Sequence, residues 1–216
     1  GSGLVGSEMC IRDSVGGLFV FESKLTQEFR LHFDEKIAEM FQSIGIREGS
    51  VWIEVFHDGE NYYFNEVGFR YGGSVSIYPV DYFYQINQVA ADIHYALTGE
   101  SCISEHTSLI RSTLPRKKYY CIYPVHINAG TISSISGLDK IAQLENIVYL
   151  ATTKYLHDRI ESSGSFSQVF ALVHFVCNTT EECIQTIDRI HQMLVVFDEH
   201  GNNMVNRMLD VGKIIF

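Results

Sequence analysis

The order of apolar and polar positions divides the chain into short strands and helices from residue 18 onward. "LFVFES" (18–23) is an apolar run of strand length. Residues 34–44, "DEKIAEMFQSI", follow a helical period instead, with Ile37, Met40, Phe41 and Ile44 on one face. Asp34 suits the N-cap of that helix, and Gly45 suits the position just past its end. "SVWIEVFH" (50–57) and "YYFNEVGFR" (62–70) read as two strands joined by the turn signal "DGEN". Val, Ile, Trp, Phe and Tyr occupy both faces of this pair, which predicts a sheet covered on both sides. Pro79 opens a helix expected over 80–97, with Val89, Ile93 and Leu97 in helical register and Gly99 as its terminator.

Residues 101–117 are polar and form the expected linker. Beyond them "YYCIYPVHI" (119–127), "NIVYLATTKY" (146–155) and "FSQVFALVHFVC" (166–177) read as strands, and "LDKIAQL" (138–144) as a short helix. The glycines and β-branched residues of "NAGTISSISG" (128–137) lie between the first strand and that helix. An amphipathic helix is expected over 178–194, with Ile184, Ile187, Ile190 and Leu194 on one stripe and Thr179 with Glu182 as a capping box. Alternating strands and helices predict an α/β or α+β class. No internal repeat and no low-complexity segment interrupts the pattern.

Composition narrows the function. The chain has 216 residues, 46% hydrophobic and 19% charged, which is ordinary for a globular protein. A formal net charge of −10 and the lack of a basic stripe argue against nucleic acid as a partner. "PRKK" (115–118), within "TLPRKK", is the one basic cluster and reads as a solvated loop. No apolar run is long enough for a membrane span. The five cysteines show no C-x-x-C spacing and no metal pattern, so they read as reduced thiols of a cytoplasmic protein. "GSGLVG" (1–6) matches a dinucleotide-binding pattern literally, but no strand precedes it. Residues 5–14 read as translated sequencing-adapter sequence, so 1–14 is expected to be a non-native or disordered tail, with native sequence from Val15.

The candidate chemistry lies in the strand pair. Glu54 sits inside "VWIEVF" and Glu66 inside "NEVGFRYGG", with Arg70 four residues further on. If the hairpin loop has three residues, Gly59 to Asn61, Glu54 opposes Glu66, and strand alternation turns Gly68 and Arg70 the same way. Opposed like charges are destabilising, so something compensates. A divalent cation is an economical answer, since Mg2+ takes one or two carboxylates and fills its octahedron with water and phosphate oxygens. Arg70 would then clamp a phosphate or carboxylate with its planar fork. The plain alternative is a two-residue loop, which shifts the register by one and turns the acids to opposite faces. The acids would also be satisfied by pairing with Arg70 or a lysine. His57 and His126 read as ordinary polar positions, and Trp52 and Phe56, on the face of Glu54, as core by default. Ser74 and Ser76, after the double glycine, either line a substrate site or lead into the helix.

The stretch from Phe33 to Gly99 resembles the carboxyl-terminal half of an ATP-grasp domain. The resemblance is carried by Glu54, the Asp58-Gly59 turn, the aromatic run Tyr62-Tyr63-Phe64, and Glu66-x-x-x-Arg70-x-Gly72-Gly73, with a helix ending "LTGE". Residues 130–200 resemble, less specifically, the small carboxyl-terminal domain of L-amino-acid ligases. The resemblance implies an α+β fold: the second half of an ATP-grasp domain, an antiparallel sheet with helices over 15–100, then a small α+β domain over 118–216. It implies ATP and Mg2+ (or Mn2+) as cofactors, with Glu54 and Glu66 as metal ligands. Arg70 would steady the transferred phosphate or an acyl-phosphate intermediate. The implied activity is a ligase joining a small-molecule carboxylate to an amine, or to a thiol; a homodimer is a family-level expectation. The alternative is a non-catalytic ATP-grasp-derived binding domain. One departure stands out: many members carry Asn where this chain has Gly68, which removes one ligand, and "EVGFR" is similar to the carboxylate–amine ligase branch. The lysines and glycine-rich loop that cover the nucleotide in this family are not found in 15–50, so the chain by itself is expected to be an inactive fragment.

Overall fold

The computed structural model describes residues 6–10, 15–73, 75–103 and 118–207. Ser74 and most of the linker, with the greater part of "PRKK", lie outside the described residues. The chain forms two compact units, one of residues 21–116 and one of residues 6–20 and 117–216, the first also taking in 1–5.

The first unit holds a hairpin and three helices. Helix α1 (Lys24–Ser43) begins ten residues before the expected start. Ser23, not Asp34, caps it, accepting from the Thr26 amide at 3.2 Å. Asp34 instead accepts from Arg30 Nε at 3.2 Å, one turn back along the helix. Gly45, at φ +85°, ends the helix as expected, its amide donating to Gln42 O at 3.0 Å. The apolar stripe expected on α1 is only partly covered: Ile37 and Phe41 are half-buried, and Met40 and Ile44 are exposed.

Strands β3 (Trp52–His57) and β4 (Tyr62–Gly68) pair antiparallel. The expected helix over 80–97 is two helices, α2 (Ile77–Tyr84) and α3 (Gln88–Thr98). Gln85 takes a left-handed φ of +56°, and Asn87 Oδ1 accepts from the Ala90 amide at 3.0 Å, so the chain stops and restarts there. Arg30 on α1 donates to Tyr84 Oη on α2 at 2.6 Å, and Tyr84 Oη donates to Glu22. This polar group fastens α2 to the start of α1.

The second unit is built on a five-stranded sheet in the order β1 (Gly6–Cys10), β2 (Val15–Phe21), β5 (Tyr119–His126), β9 (Val169–Cys177) and β7 (Ile147–Thr152). Residues 15–20 therefore belong with the second unit rather than with 21–100, because β2 is a member of its sheet. Part of the presumed tail, Gly6–Cys10, runs antiparallel to β2. A second sheet pairs β10 (Val195–Asp198), β6 (Gly130–Ser136) and β8 (Arg159–Ile160). Helices α4 (Leu138–Ala142) and α5 (Thr180–Met193) complete the unit. Strand β9, read as the most apolar, is buried along nearly its whole length, as expected of a strand covered on both faces. Ile187 and Ile190 of α5 pack into the same core as Phe170, Val173 and Phe175 of β9. Thr179 caps α5 by accepting from the Glu182 amide at 3.2 Å, while the Glu182 carboxylate accepts from the Asn178 amide at 2.7 Å.

Candidate active site

Glu54 and Glu66 are directly opposed across the β3–β4 ladder. They come to be so by a different route from the three-residue loop. The chain turns through Gly59 and Glu60, with His57 opposite Tyr62 and the Asp58 amide donating to Asn61 O at 3.3 Å. That is the shorter closure, which by itself would turn the two acids to opposite faces. A bulge corrects it. Val55 pairs with Phe64 and Glu54 with Glu66, leaving Asn65 as an extra residue on β4. In a regular ladder Asn65 would oppose Glu54, and Glu66 would follow Tyr62 and Phe64 onto the side of the hairpin that packs on α1. With the bulge, Glu66 shares a face with Glu54, and opposed Cβ atoms on one face lie about 4.5–5.5 Å apart.

Each side of the hairpin has its own role. Tyr62 and Phe64 stack with Phe29 and Phe33 of α1 at ring separations of 5.3–5.9 Å. Such aromatic pairs contribute about 0.5–1.5 kcal/mol each beyond area burial. The expectation of a sheet covered on both sides is not met: Phe56, Tyr63, Phe64 and Val67 are 41–52% exposed. Apolar content alone suggested burial, but two strands with one packed helix leave most of the surface open.

Asp58 fixes the turn. Its Oδ1 accepts from the amides of Glu60 and Asn61 at 2.9 and 2.8 Å, and its Oδ2 accepts from Tyr63 Oη at 2.8 Å. The amide of Asn61, then that of Glu60, hold the Asp58 carboxyl down at about 2. His57 belongs to the same turn, its Nδ1 accepting from the Gly59 amide at 3.3 Å.

Trp52 and Arg70 complete the acidic face. Trp52 pairs with Gly68 two residues before the Glu54–Glu66 pair, so it lies on the same side. Arg70 follows the end of β4, and its guanidinium carbon sits 4.9 Å from the Trp52 ring centre. A Cβ built on Gly68 would lie 3.4 Å from Arg70 Cγ and Nε and 3.5 Å from the Trp52 ring. Gly68 is thus the floor under Arg70, and the space a longer side chain would need is taken by the arginine stem. Arg70 Nη1 donates to Tyr71 O at 3.0 Å. Tyr71 Oη in turn donates to Asp92 Oδ2 on α3 at 2.7 Å, and Ser50 Oγ donates to the same oxygen at 3.1 Å. Burial, followed by that bond to Asp92, pushes Tyr71 up to about 12. Asp92 therefore anchors both the segment before β3 and the one that bears Arg70. Nothing in the spacing of the sequence marks Asp92.

Asn65 was also not foreseen. Its Nδ2 donates to Glu54 Oε2, which leaves its amide oxygen, an acceptor, to offer a lone pair to a cation. One signal for it exists: strict alternation from Tyr62 places a carboxylate on the aromatic side, and a bulge relieves that conflict. The donor set of two carboxylates and an amide oxygen fits a hard cation such as Mg2+. Of the remaining candidates, Ser76 is buried before α2 and His126 is half-buried at the end of β5.

No protein-family model matches the sequence, and no curated protein matches it. Solved structures do. L-amino acid ligase from Bacillus licheniformis is similar with a TM-score of 0.68 at 21% identity, over 86% of this chain and 44% of that one. Phosphoribosylglycinamide synthetase from Anaerococcus prevotii gives 0.69 at 13% identity, over 92% and 48%. The biotin carboxylase domain of Hydrogenobacter thermophilus 2-oxoglutarate carboxylase, a dimer in complex with MgADP, ADP and bicarbonate, gives 0.64 at 14%, over 93% and 42%. The chain spans less than half the length of each of these structures. All three are ATP-grasp enzymes. The fold of this chain, helices with antiparallel sheets in an α+β arrangement, is that of part of these ATP-grasp structures.

Proposed function

We propose that the face bearing Glu54, Glu66 and Arg70 is the metal and phosphate side of an ATP-dependent ligase that joins a carboxylate to an amine. The observation that carries this is the bulge at Asn65, which aligns two carboxylates on one side of a hairpin where a regular ladder would separate them. Bulges recur next to active sites, where they re-aim a side chain. The likeness to an L-amino acid ligase, at 21% identity, supports the same reading.

Glu54 and Glu66 would hold Mg2+, with the Asn65 amide oxygen beside them. Such a cation would supply positive charge to offset the negative charge of the nucleotide's phosphates. Arg70, held on Trp52, presents its remaining N–H groups to the transferring phosphoryl group and then to the acyl phosphate. The amine displaces phosphate, and no enzyme nucleophile is required. Tyr71 and Asp92 keep Arg70 in place, so positioning rather than covalent chemistry is the protein's contribution. Turnover is assigned to a polypeptide that joins this chain to nucleotide-covering parts; the chain by itself is expected to bind Mg·ATP weakly. A homodimer remains a family-level proposal.

The test is ADP release by the protein encoded together with its upstream coding sequence, assayed with pools of amino acids. Activity with at least one pool, abolished by Glu66→Gln at an unchanged melting temperature, is expected. Inactivity with every pool, or a silent Glu66→Gln, overturns the reading.

A further inference from the structure

Three of the five cysteines meet inside the second unit. Cys121 lies on β5, Cys177 ends β9, and Cys183 lies in the first turn of α5. The register pairs Tyr119 with Cys177 and Cys121 with Phe175, so Cys121 and Cys177 are diagonal neighbours on adjacent strands. Their sulfurs are 3.7 Å apart, and all three Sγ atoms lie within 4.8 Å of one another. All three residues are at most 2% exposed. Among the described residues this is the one group of three or more His, Cys, Asp or Glu whose ligand atoms come within that distance.

We propose that Cys121, Cys177 and Cys183 form a three-thiolate site for one thiophilic d10 cation, Cu(I) or Zn2+. Metal–sulfur bonds of about 2.3 Å in a trigonal site set the sulfurs about 4 Å apart, so the observed cluster needs only sub-ångström adjustment. Thiolates select soft cations over Mg2+ and Ca2+, so this site does not compete for the ion proposed at Glu54 and Glu66. Each sulfur–metal bond formed replaces one S–H bond, whose proton leaves to solvent, so at most three protons leave per cation. The residual negative charge falls at the amino-terminal turn of α5, the positive end of its dipole. Spacing in the sequence could not disclose the site, because two strands and a helix each supply one sulfur.

The test uses the full chain carrying Cys10→Ser and Cys102→Ser, which leaves the three core cysteines as its only thiols. Reduced, metal-free protein is titrated anaerobically with Cu(I) and, separately, with Zn2+ against a chromophoric chelator. Saturation at one equivalent is expected for at least one cation, with a thiolate charge-transfer band for Cu(I) and a raised melting temperature. Cu(I) binding alone assigns a closed three-coordinate site; binding of both assigns a site that admits a fourth ligand. Adding Cys183→Ser should weaken binding by at least about 100-fold; Cys121→Ala is the second variant should that one fail to fold. No binding at one equivalent, or binding unaltered by either variant, overturns the proposal. So does isolated protein two hydrogens lighter, which would reveal a Cys121–Cys177 disulfide instead.

Discussion

The Arg70 guanidinium carbon lies 4.9 Å from the centre of the Trp52 ring, and Trp52 is the one tryptophan of the chain. Intrinsic fluorescence therefore reports on the arginine proposed to hold phosphate. Arg70→Ala should shift the emission to the red and increase quenching by iodide, at a stability cost of about 0.5–1 kcal/mol, the range for an exposed cation–π pair. Emission identical to that of the unaltered protein would mean that the pair does not persist in solution.

Asn65 separates two contributions to metal binding. Asn65→Ala keeps the extra residue and loses the hydrogen bond to Glu54 together with the amide oxygen beside the proposed cation. Mn2+ affinity, measured by electron paramagnetic resonance, should fall about 10-fold, as for other partners that orient a ligand. Deleting Asn65 removes the bulge yet leaves Glu66 next after Phe64, hence still opposite Glu54, so binding should match that of Asn65→Ala. A much weaker affinity in the deletion than in Asn65→Ala would show that the two acids do not stay opposed once the bulge is gone.

Gly68 should accept no larger residue without loss at Arg70. Gly68→Asn would supply the ligand many ATP-grasp members have there, but its side chain would enter the space between Arg70 and Trp52. The expected result is a Trp52 emission change like that of Arg70→Ala, whatever happens to Mn2+ affinity. Unchanged emission would place the arginine elsewhere.

His191 predicts a pH dependence of stability. Its ring bonds to Tyr123 Oη at 2.6 Å, and burial, then the charge of Arg207, lowers it from its ordinary value of 6.5. The unfolded chain thus binds the proton more readily. Stability is full above pH 6.5 and is lost as pH falls through 6.5 towards the folded value. His191→Gln should flatten this part of the curve in urea denaturation at pH 5 to 8; an unchanged slope would reject the assignment.

Gly137 makes a very close backbone approach. It has φ +94°, and an added Cβ would fall 2.0 Å from Met193 O. Gly137→Ala should cost well over about 1 kcal/mol, because both the conformation and the carbonyl oppose it. A melting temperature within a degree of the parent would contradict the geometry.

What could be read from the sequence was set by local signals. The strand pair, Gly99 as a stop, and Thr179 with Glu182 at the start of α5 each depend on residues a few positions apart. The opposed acids were also legible, although through a loop of the wrong length. The bulge was not, because Asn65 is as polar as its neighbours and shows its role only against the partner strand. The break at Gln85 was hidden by an apolar spacing that continues across both α2 and α3. The start of α1 was missed because Ser23 and Asp34 are both acceptable caps, and only tertiary contacts through Phe29 and Arg30 extend the helix back to Ser23. Asp92 and the cysteine cluster are products of folding at long range, without a spacing signature.

The position of β2 also bears on biosynthesis. Apart from β1, the other strands of its sheet begin only at Tyr119, roughly a hundred residues after β2 is made. At typical elongation rates that interval is about 5–20 s. Throughout it, Leu18 and Val20, almost fully buried in the finished protein, lack the core formed with Cys121, Tyr123 and the later residues. A nascent chain in this state is a natural client for a holding chaperone until the later sheet arrives.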